Sequence, residues 1–124
     1  MEGKIYHTSE NKGVVIPAGG IKFDAGKTRW DLLPLRAVEE IVKVYTFGAE
    51  KYGDNNWQNL PDGYDRYKAA MFRHLVASEK GEQLDNESGL PHLAHMAWNA
   101  IALLHFYMED LNKKDHDRQL GRTR

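Results

Sequence analysis

Residues 89–108 read GLPHLAHMAWNAIALLHFYM, and this stretch decides the fold. From Leu93 to Met108 it is apolar on nearly every side of a helical wheel. Pro91 suits a first helical turn, where its missing N–H has no partner in any case. The pattern predicts a long helix that ends near Asn112. Because a helix that is apolar all round must be covered all round, we expect it to be the central helix of a bundle.

Two further helices are predicted upstream of this one. The first begins at Asp31 and Pro34 and ends near Gly53, because apolar residues recur at three-and-four spacing at positions 38, 41, 42, 45, 49 and 52. The second runs from about Tyr64 to Lys80. Residues 54–63, DNNWQNLPDG, are dense in turn formers and predict a loop. An acidic loop over residues 82–89 leads to the third helix, with Ser88 or Asp85 as its cap.

The length of 124 residues fits one domain. Residues 1–30 combine several glycines with short apolar pieces and predict an N-terminal arm. Residues 31–112 form the helical domain, and residues 113–124, KKDHDRQLGRTR, form a charged tail that we expect to be frayed or solvated. The predicted fold class is all-α, a small bundle of three to five helices with an extended N-terminal arm.

Charge and composition exclude several classes of partner. Lys plus Arg (17) nearly equals Asp plus Glu (18), so there is no overall field for polymeric nucleic acid or an acidic membrane surface. The chain has no cysteine, which excludes disulfides and thiolate chemistry and agrees with a reducing cytoplasm. No apolar run reaches the roughly 20 residues of a membrane span, and the polar start is no signal peptide. We therefore expect a soluble cytoplasmic protein.

Polar side chains interrupt the apolar helix on one face. His92, His95 and Asn99 follow at i, i+3 and i+7. Burying such groups costs a few kcal/mol each unless they are hydrogen-bonded. In one interpretation they satisfy one another and the nearby backbone. In the other, the two imidazoles share a metal ion and the amide of Asn99 binds an edge of a ligand.

Carboxylates are available to complete a metal site. Asp85 and Glu87 lie at the entrance of the third helix, and Glu39 and Glu40 lie on the first. Each has a structural alternative. Glu39 could serve only to form an ion pair with Lys43 at i, i+4. Asp85 or Glu87 could serve only to stabilise the third helix, whose N-terminus favours negative charge.

Basic and aromatic residues suggest the rest of a ligand site. Lys27, Lys51 and Arg73 could converge on a phosphate chain, which needs charge-assisted donors. The inward-facing His74 beside Arg73 joins the substrate-binding candidates. The segment KYGDNNW supplies residues that could stack on a base and hydrogen-bond to it, although aromatic residues at a helix end are often core: Tyr52, Asn56 and Trp57.

The order of the motifs resembles a known family. The segments KFDAGKTRWDLLP, FGAEKYGDNNW, RHL and GEQLDNESGLPHLAHMAWNA together resemble the phage dATP/dGTP diphosphohydrolase domain, a relative of the MazG-like all-α nucleoside triphosphate pyrophosphohydrolases. The match runs from about Lys22 to Tyr107. The resemblance implies a homo-oligomeric helical bundle that cleaves dGTP or dATP into the monophosphate and pyrophosphate. It also implies a place in the host cytoplasm if the protein is phage-encoded.

The wider superfamily binds Mg²⁺ through EExxE and ExxD motifs. In this sequence Glu39-Glu40-Ile-Val-Lys43 resembles the first motif, and His92-Leu-Ala-His95 lies where the second is expected, with histidine in place of both acids. Histidine nitrogen favours Mn²⁺, Co²⁺ or Zn²⁺ over Mg²⁺. Either the metal differs, or Mg²⁺ is bound by carboxylates instead, namely Glu39, Glu40, Asp85 and Glu87.

The resulting hypothesis is a metal-dependent nucleoside triphosphate diphosphohydrolase. His92, His95 and Glu87, with Glu40 and Asp85, would hold the metal ion. Lys51 and Arg73 would stabilise the charge on the leaving pyrophosphate, and Glu39 would orient or deprotonate the water. One alternative is a non-catalytic nucleotide- or metal-binding module that organises an oligomer. Another is a small interaction protein whose histidine stripe is only a hydrogen-bond network.

Overall fold

A computed structural model describes residues 19–121, and the chain divides into two units, Met1–Leu33 and Pro34–Arg124. In the described part of the first unit, a turn forms where the Lys27 N–H donates to the Asp24 carbonyl at 3.0 Å. A short 3-10 helix, Trp30–Leu32, follows. The predicted extended arm falls mostly on residues 1–18, which lie outside the described residues.

The second unit contains three helices, α1 (Leu35–Tyr52), α2 (Gly63–Glu79) and α3 (His92–Gln119). A 3-10 turn, Asn56–Asn59, lies in the loop between α1 and α2. Over residues 19–121 no strand occurs, so the prediction of an all-α bundle is confirmed. None of the described helices is long and apolar enough to cross a membrane.

The third helix is longer than predicted. It continues to Gln119, so residues 113–119 are helical and not frayed, while all of them except Asp117 are exposed, as the alternative expectation of a solvated tail has it. The physical reason is local charge pairing: Lys114 bonds Asp110 at 3.1 Å and Arg118 bonds Asp115 at 3.0 Å, one helical turn apart in each case. His116 and Arg118 also place basic side chains in the last turn, where the helix dipole favours them.

α2 and α3 pack antiparallel along their length. Gly63, at the start of α2, lies against Phe106, and a Cβ on Gly63 would be 3.1 Å from the Phe106 ring. His74, near the end of α2, meets His92 at the start of α3. α1 joins the pair through Tyr45, whose ring centroid is 5.5 Å from that of Trp98.

The core of the described chain is small. Its buried hydrophobic side chains are Val44, Ala94 and Ala102. α3 is central in that both α1 and α2 pack on it, as predicted, but the expectation that it is covered on all sides is wrong for the single chain, because Leu104 on the opposite face is 56% exposed. Two neighbouring helices cover only one side of a helix. On α1, Val42 was expected to be buried, but it is 51% exposed, and the buried valine of this helix is Val44.

Candidate metal and nucleotide site

The loop between α2 and α3 folds back on itself and brings a carboxylate to the start of α3. An isolated antiparallel bridge joins Leu84 to Pro91, and the Asp85 N–H donates to the Leu90 carbonyl at 2.8 Å. The His92 N–H donates to the Gln83 carbonyl at 3.0 Å, which satisfies one of the amides that a helix start leaves unpaired. Asp85 is thereby held beside the first turn of α3.

Three histidines meet beside this carboxylate, and we call them, with Asp85, the histidine cluster. The Nδ1 atoms of His74 and His92 lie 2.8 Å apart, so one of them is protonated and donates to the other. The His74 ring stacks on His95, with 4.6 Å between centroids and 13° between planes. Ligand atoms of His74, Asp85 and His92 all lie within 4.8 Å of one another, which makes them a group that could hold a metal ion.

Ser88 links two members of the cluster. Its N–H and its hydroxyl lie 2.8 Å and 3.0 Å from Asp85 Oδ2, and the hydroxyl is also 2.7 Å from His95 Nε2. Partial burial raises the pKa of Asp85, but the two Ser88 hydrogen bonds and the nearby imidazoles outweigh it and lower that pKa overall. Asp85 is therefore an ionised acceptor at neutral pH.

A second carboxylate, that of Glu82, lies near the Nε2 of His92. His92 is only 5% exposed, and its Nε2 is buried and makes no hydrogen bond within the described residues. Glu82 Oε2 lies 3.3 Å from this nitrogen. A carboxylate behind the second nitrogen of an imidazole is the arrangement that orients histidine ligands in metal sites. The geometry therefore leaves the Nδ1 of His92 facing the cluster.

Burial keeps His74 and His95 in the neutral form. Burial lowers the pKa of His74, and the neighbouring His95 and His92 lower it further. Burial also lowers the pKa of His95, against the opposing effect of Asp85. Neutral imidazole is the form that binds a metal, so desolvation prepares these rings as ligands near pH 7.

These pKa shifts predict that the metal-free protein loses stability in mild acid. The folded chain keeps His74 and His95 neutral below their ordinary pKa of about 6.5, where the unfolded chain takes up protons. The free energy of unfolding should therefore fall as the pH drops below about 6.5, until the lower folded-state pKa values are passed. Urea midpoints in EDTA at several pH values measure this. Equal midpoints at pH values about one unit above and below 6.5 would contradict it.

A second feature is an aromatic cleft of about 690 Å³ beside the end of α1, a size typical of small-molecule sites. It is lined by aromatic and amide side chains that include Tyr45, Tyr52, Asn56, Trp57 and Trp98. Tyr52, Asn56 and Trp57, which the sequence predicts to contact a base, line this one cleft, and their contact with a base stays a prediction. Trp98 follows His95 by one helical turn on α3, so the cleft and the histidine cluster are neighbours along that helix.

The sequence comparisons address the same residues. Residues 17–117 match the family described as dATP/dGTP diphosphohydrolase, N-terminal. This chain belongs to that family. A protein of Salmonella phage PMBT28 named dATP/dGTP diphosphohydrolase is 44% identical to it over 78 residues, covering 63% of this chain. The chain spans only 26% of the length of that relative. No solved structure matches the chain.

The structure places the other predicted metal ligands outside the histidine cluster. Glu40 bonds Lys43 at 2.9 Å, one turn along α1, and Glu87 forms an ion pair with Lys51. Each carboxylate is drawn to a nearer lysine, so the geometry of the single chain does not bring either to the imidazoles. The roles of Glu40 and Glu87 as metal ligands stay predictions. The role predicted for Glu39, which is exposed, stays a prediction too.

The other predicted site residues lie on the three helices and in the first unit. Lys51 and Arg73 are exposed, and Arg73 adjoins His74 on α2. Lys27 lies in the first unit. Asn99 is 3% exposed, and its side-chain amide donates to the His95 carbonyl at 2.8 Å, so it braces its own helix. His74, a substrate-binding candidate in the sequence, lies in the structure with the candidate metal ligands Asp85 and His92.

Sequence reasoning missed Glu82 and the linking role of Ser88. Both lie in the loop before α3, where helical periodicity says nothing about side-chain direction. Ser88 had been considered as a helix cap, but α3 begins after Pro91 and has no side-chain cap. The one signal that could have pointed to this loop is its density of acidic and hydroxyl side chains between two histidine-bearing helices.

Proposed function

We propose that this domain catalyses metal-dependent hydrolysis of a purine deoxynucleoside triphosphate, dGTP or dATP, to the monophosphate and pyrophosphate. Water would attack the α-phosphorus, the bond from that phosphorus to the bridging oxygen would break, and the proton of the water would be released. The name of the phage relative supports the substrate class. The observation on which the proposal depends most is the group His74, Asp85 and His92.

The residues present fit a divalent cation. Two imidazoles and one ionised carboxylate form a donor set with their ligand atoms within 4.8 Å of one another. To bind an ion, His74 and His92 would give up their mutual hydrogen bond, and the ring that is protonated on Nδ1 would carry that proton on Nε2 instead, so that both Nδ1 atoms have a lone pair. When bound, the cation would supply Lewis-acid polarisation of a phosphate oxygen. Asp85 would remain oriented by Ser88, and His92 by Glu82.

The donor types favour one group of ions. Two nitrogens and one oxygen suit Mn²⁺, Co²⁺ or Zn²⁺ better than Mg²⁺, which prefers oxygen. Mg²⁺ is the ion that the family resemblance implies. The two expectations differ, so the identity of the metal is part of the test.

The aromatic cleft would hold the base, with Tyr52 and Asn56 at its accessible side. Tyr67 in the cleft and His74 in the cluster lie two turns apart on α2, about 10 Å along the helix. This is comparable with the distance from the base to the α-phosphate of an extended nucleotide. Lys51 and Arg73, both exposed, would neutralise charge on the departing pyrophosphate.

The proposal predicts turnover that depends on the metal. The full chain is incubated with each of the four deoxynucleoside triphosphates and with Mg²⁺, Mn²⁺, Co²⁺ or Zn²⁺ in turn, and the products are separated. We expect purine monophosphate and pyrophosphate, with the highest rate in Mn²⁺ or Co²⁺ and none in EDTA. Diphosphate plus orthophosphate would contradict the bond proposed, and no product with any pair of nucleotide and metal would contradict the activity.

A second candidate is a module that binds a nucleotide or metal ion without turnover. A third is an interaction protein whose histidines form only a hydrogen-bond network. The hydrogen bonds between His74 and His92 and between Ser88 and His95 favour the network, since they satisfy these side chains without a metal ion. Replacing His92 and His95 together with glutamine separates the candidates. Unchanged metal content and unchanged activity would support the network, and metal binding without product would support the module.

A homo-oligomer is also part of the proposal. The small core of the single chain and the exposed apolar residues of α3 support it, because a stable soluble monomer rarely exposes a large contiguous apolar surface.

A further inference from the structure

A glycine, Gly48, lies inside α1, where glycine is unfavourable. Glycine loses more backbone freedom on folding than any other residue and, after proline, is the poorest helix former. Gly63, the other glycine within a described helix, has a packing reason, because a Cβ there would lie 3.1 Å from the Phe106 ring. Apart from its own stretch of helix backbone, a Cβ at Gly48 would meet no atom within 4 Å. Packing among the described residues therefore does not require a glycine at this position.

The open space beside Gly48 belongs to the aromatic cleft. Gly48 lines the cleft together with Tyr45, Ala49 and Tyr52, which share its face of α1 at helical spacing. A side chain at position 48 would therefore project into the cleft. Tyr45 and Tyr52 are seven residues apart, about 10 Å along the helix. Between these two rings the backbone of α1 itself forms the wall, so the glycine makes the cleft deeper there.

The walls of the cleft suit a flat ring system. Trp57 and Trp98 line it in addition to the two tyrosines, and aromatic side chains pack well on the faces and edges of other rings. A ring that approaches the bare backbone at Gly48 can extend further from its sugar than one that meets a side chain there. A purine has two fused rings and a pyrimidine has one, so the depth of the cleft at Gly48 is a feature that distinguishes them.

Hydrogen bonds to exocyclic groups do not separate the two purines from the two pyrimidines. Adenine presents an amino donor where guanine presents a carbonyl acceptor, and cytosine and thymine differ from each other in the same way. A protein group that accepts the amino group of adenine would therefore also accept that of cytosine. The feature that adenine and guanine share, and that both pyrimidines lack, is the second ring. A site for dGTP or dATP that excludes pyrimidines therefore needs room for this ring.

We infer that Gly48 determines the preference for a purine base, because its missing side chain leaves room for the second ring against α1. The inference rests on the proposed function for the class of substrate, and on the open space beside Gly48 for the residue. A methyl group at this position would occupy the room that the second ring needs, and the extra volume would disfavour a purine. A pyrimidine ends short of α1 and would be affected little.

The test is the binding of dGMP and dCMP to the full chain and to Gly48→Ala, measured by titration calorimetry with Mn²⁺ present. The proposed reaction consumes neither nucleotide, so binding is measured whether or not the chain turns over. We expect the parent to bind dGMP at least about tenfold more tightly than dCMP. In Gly48→Ala the Kd for dGMP should rise at least about tenfold, while the Kd for dCMP changes less than about twofold. The same variant should melt about 2–8 °C higher, because alanine is the better helix former.

Ala69→Gly is the matched control. It exchanges the same two residues in the opposite sense, at an exposed position of α2 that does not line the cleft. This variant should melt lower than the parent and keep both parental Kd values, which separates the effect of helix stability from that of the cleft.

Several results would overturn the inference. They are an unchanged Kd for dGMP in Gly48→Ala, an equal loss of affinity for both nucleotides, a melting temperature below that of the parent, and a parent that binds neither nucleotide. The proposed activity has a separate outcome. A chain that shows the expected preference and its loss in Gly48→Ala, but hydrolyses no triphosphate, would leave the inference standing and overturn the activity. Hydrolysis of all four deoxynucleoside triphosphates with similar KM would do the reverse.

Discussion

Replacement of His74 by glutamine should abolish measurable hydrolysis and most binding of a nitrogen-preferring metal. His74 is the only member of the candidate metal group that α2 supplies, and its Nδ1 lies 2.8 Å from that of His92. Loss of a residue that only orients a metal ligand costs about 10- to 100-fold in affinity or activity, so loss of a ligand should cost more than about 100-fold. Titration calorimetry with Mn²⁺ or Co²⁺ and steady-state rates on dGTP measure both effects.

The choice of glutamine also separates the candidate metals. Its amide oxygen is a ligand that a hard cation accepts, so a site built for Mg²⁺ would keep part of its affinity. A site built for Mn²⁺, Co²⁺ or Zn²⁺ would lose a nitrogen donor with no equivalent replacement. His116→Gln is the matched control, since that histidine is exposed in the last turn of α3. Parental metal affinity and turnover in His74→Gln would contradict the assignment.

Asp85→Asn provides a second variant in case His74→Gln folds poorly. It removes the charge of the third member of the group but keeps an oxygen that can accept the Ser88 hydrogen bonds. We expect the same loss of metal binding with a smaller effect on folding. Circular dichroism melts of both variants show whether the bundle is intact, so a loss of activity can be assigned to the site.

Much of the fold followed from helical periodicity and turn residues. Predicted and observed bounds of α2 differ by one residue at each end, because the loop DNNWQNLPDG and Gly81 delimit it in the sequence. The end of α3 was missed because hydrophobic periodicity stops near Asn112, whereas the helix is extended by ion pairs between side chains. Periodicity therefore reports burial, and it does not report a solvated continuation of the same helix.

The candidate site was predictable only in part. The i, i+3 spacing placed His92 and His95 on one face of α3, and in the structure both rings lie against His74. Their partners depend on how α2 crosses α3 and on how residues 82–91 fold, and neither is visible in a local pattern. His74 and Glu82 were therefore not assigned to the metal site, whereas Glu87 was, although Lys51 lies closer to it than the imidazoles do.

Replacement of Trp57 by alanine should destabilise the bundle, and replacement of Tyr52 by alanine should weaken binding of the base. The Trp57 ring lies edge-on to four neighbours, with centroids 5.0 Å from His105, 5.6 Å from Trp98, 5.8 Å from Phe106 and 6.1 Å from Tyr45. Removing such a ring costs about 3–5 kcal/mol, a large share of the roughly 5–15 kcal/mol that stabilises a domain. Tyr52 lines the same cleft but is 63% exposed, so its loss should change stability little.

The two variants distinguish a structural ring from a binding ring. For Tyr52→Ala we expect the KM for the purine triphosphate to rise about three- to tenfold, which corresponds to the roughly 0.5–1.5 kcal/mol of one aromatic contact, while kcat stays near its parental value. For Trp57→Ala we expect a large drop in the urea midpoint, and Trp57→Phe should recover much of it because a ring still fills the space. A Trp57→Ala variant of parental stability and raised KM would show instead that Trp57 serves mainly to stack on the base.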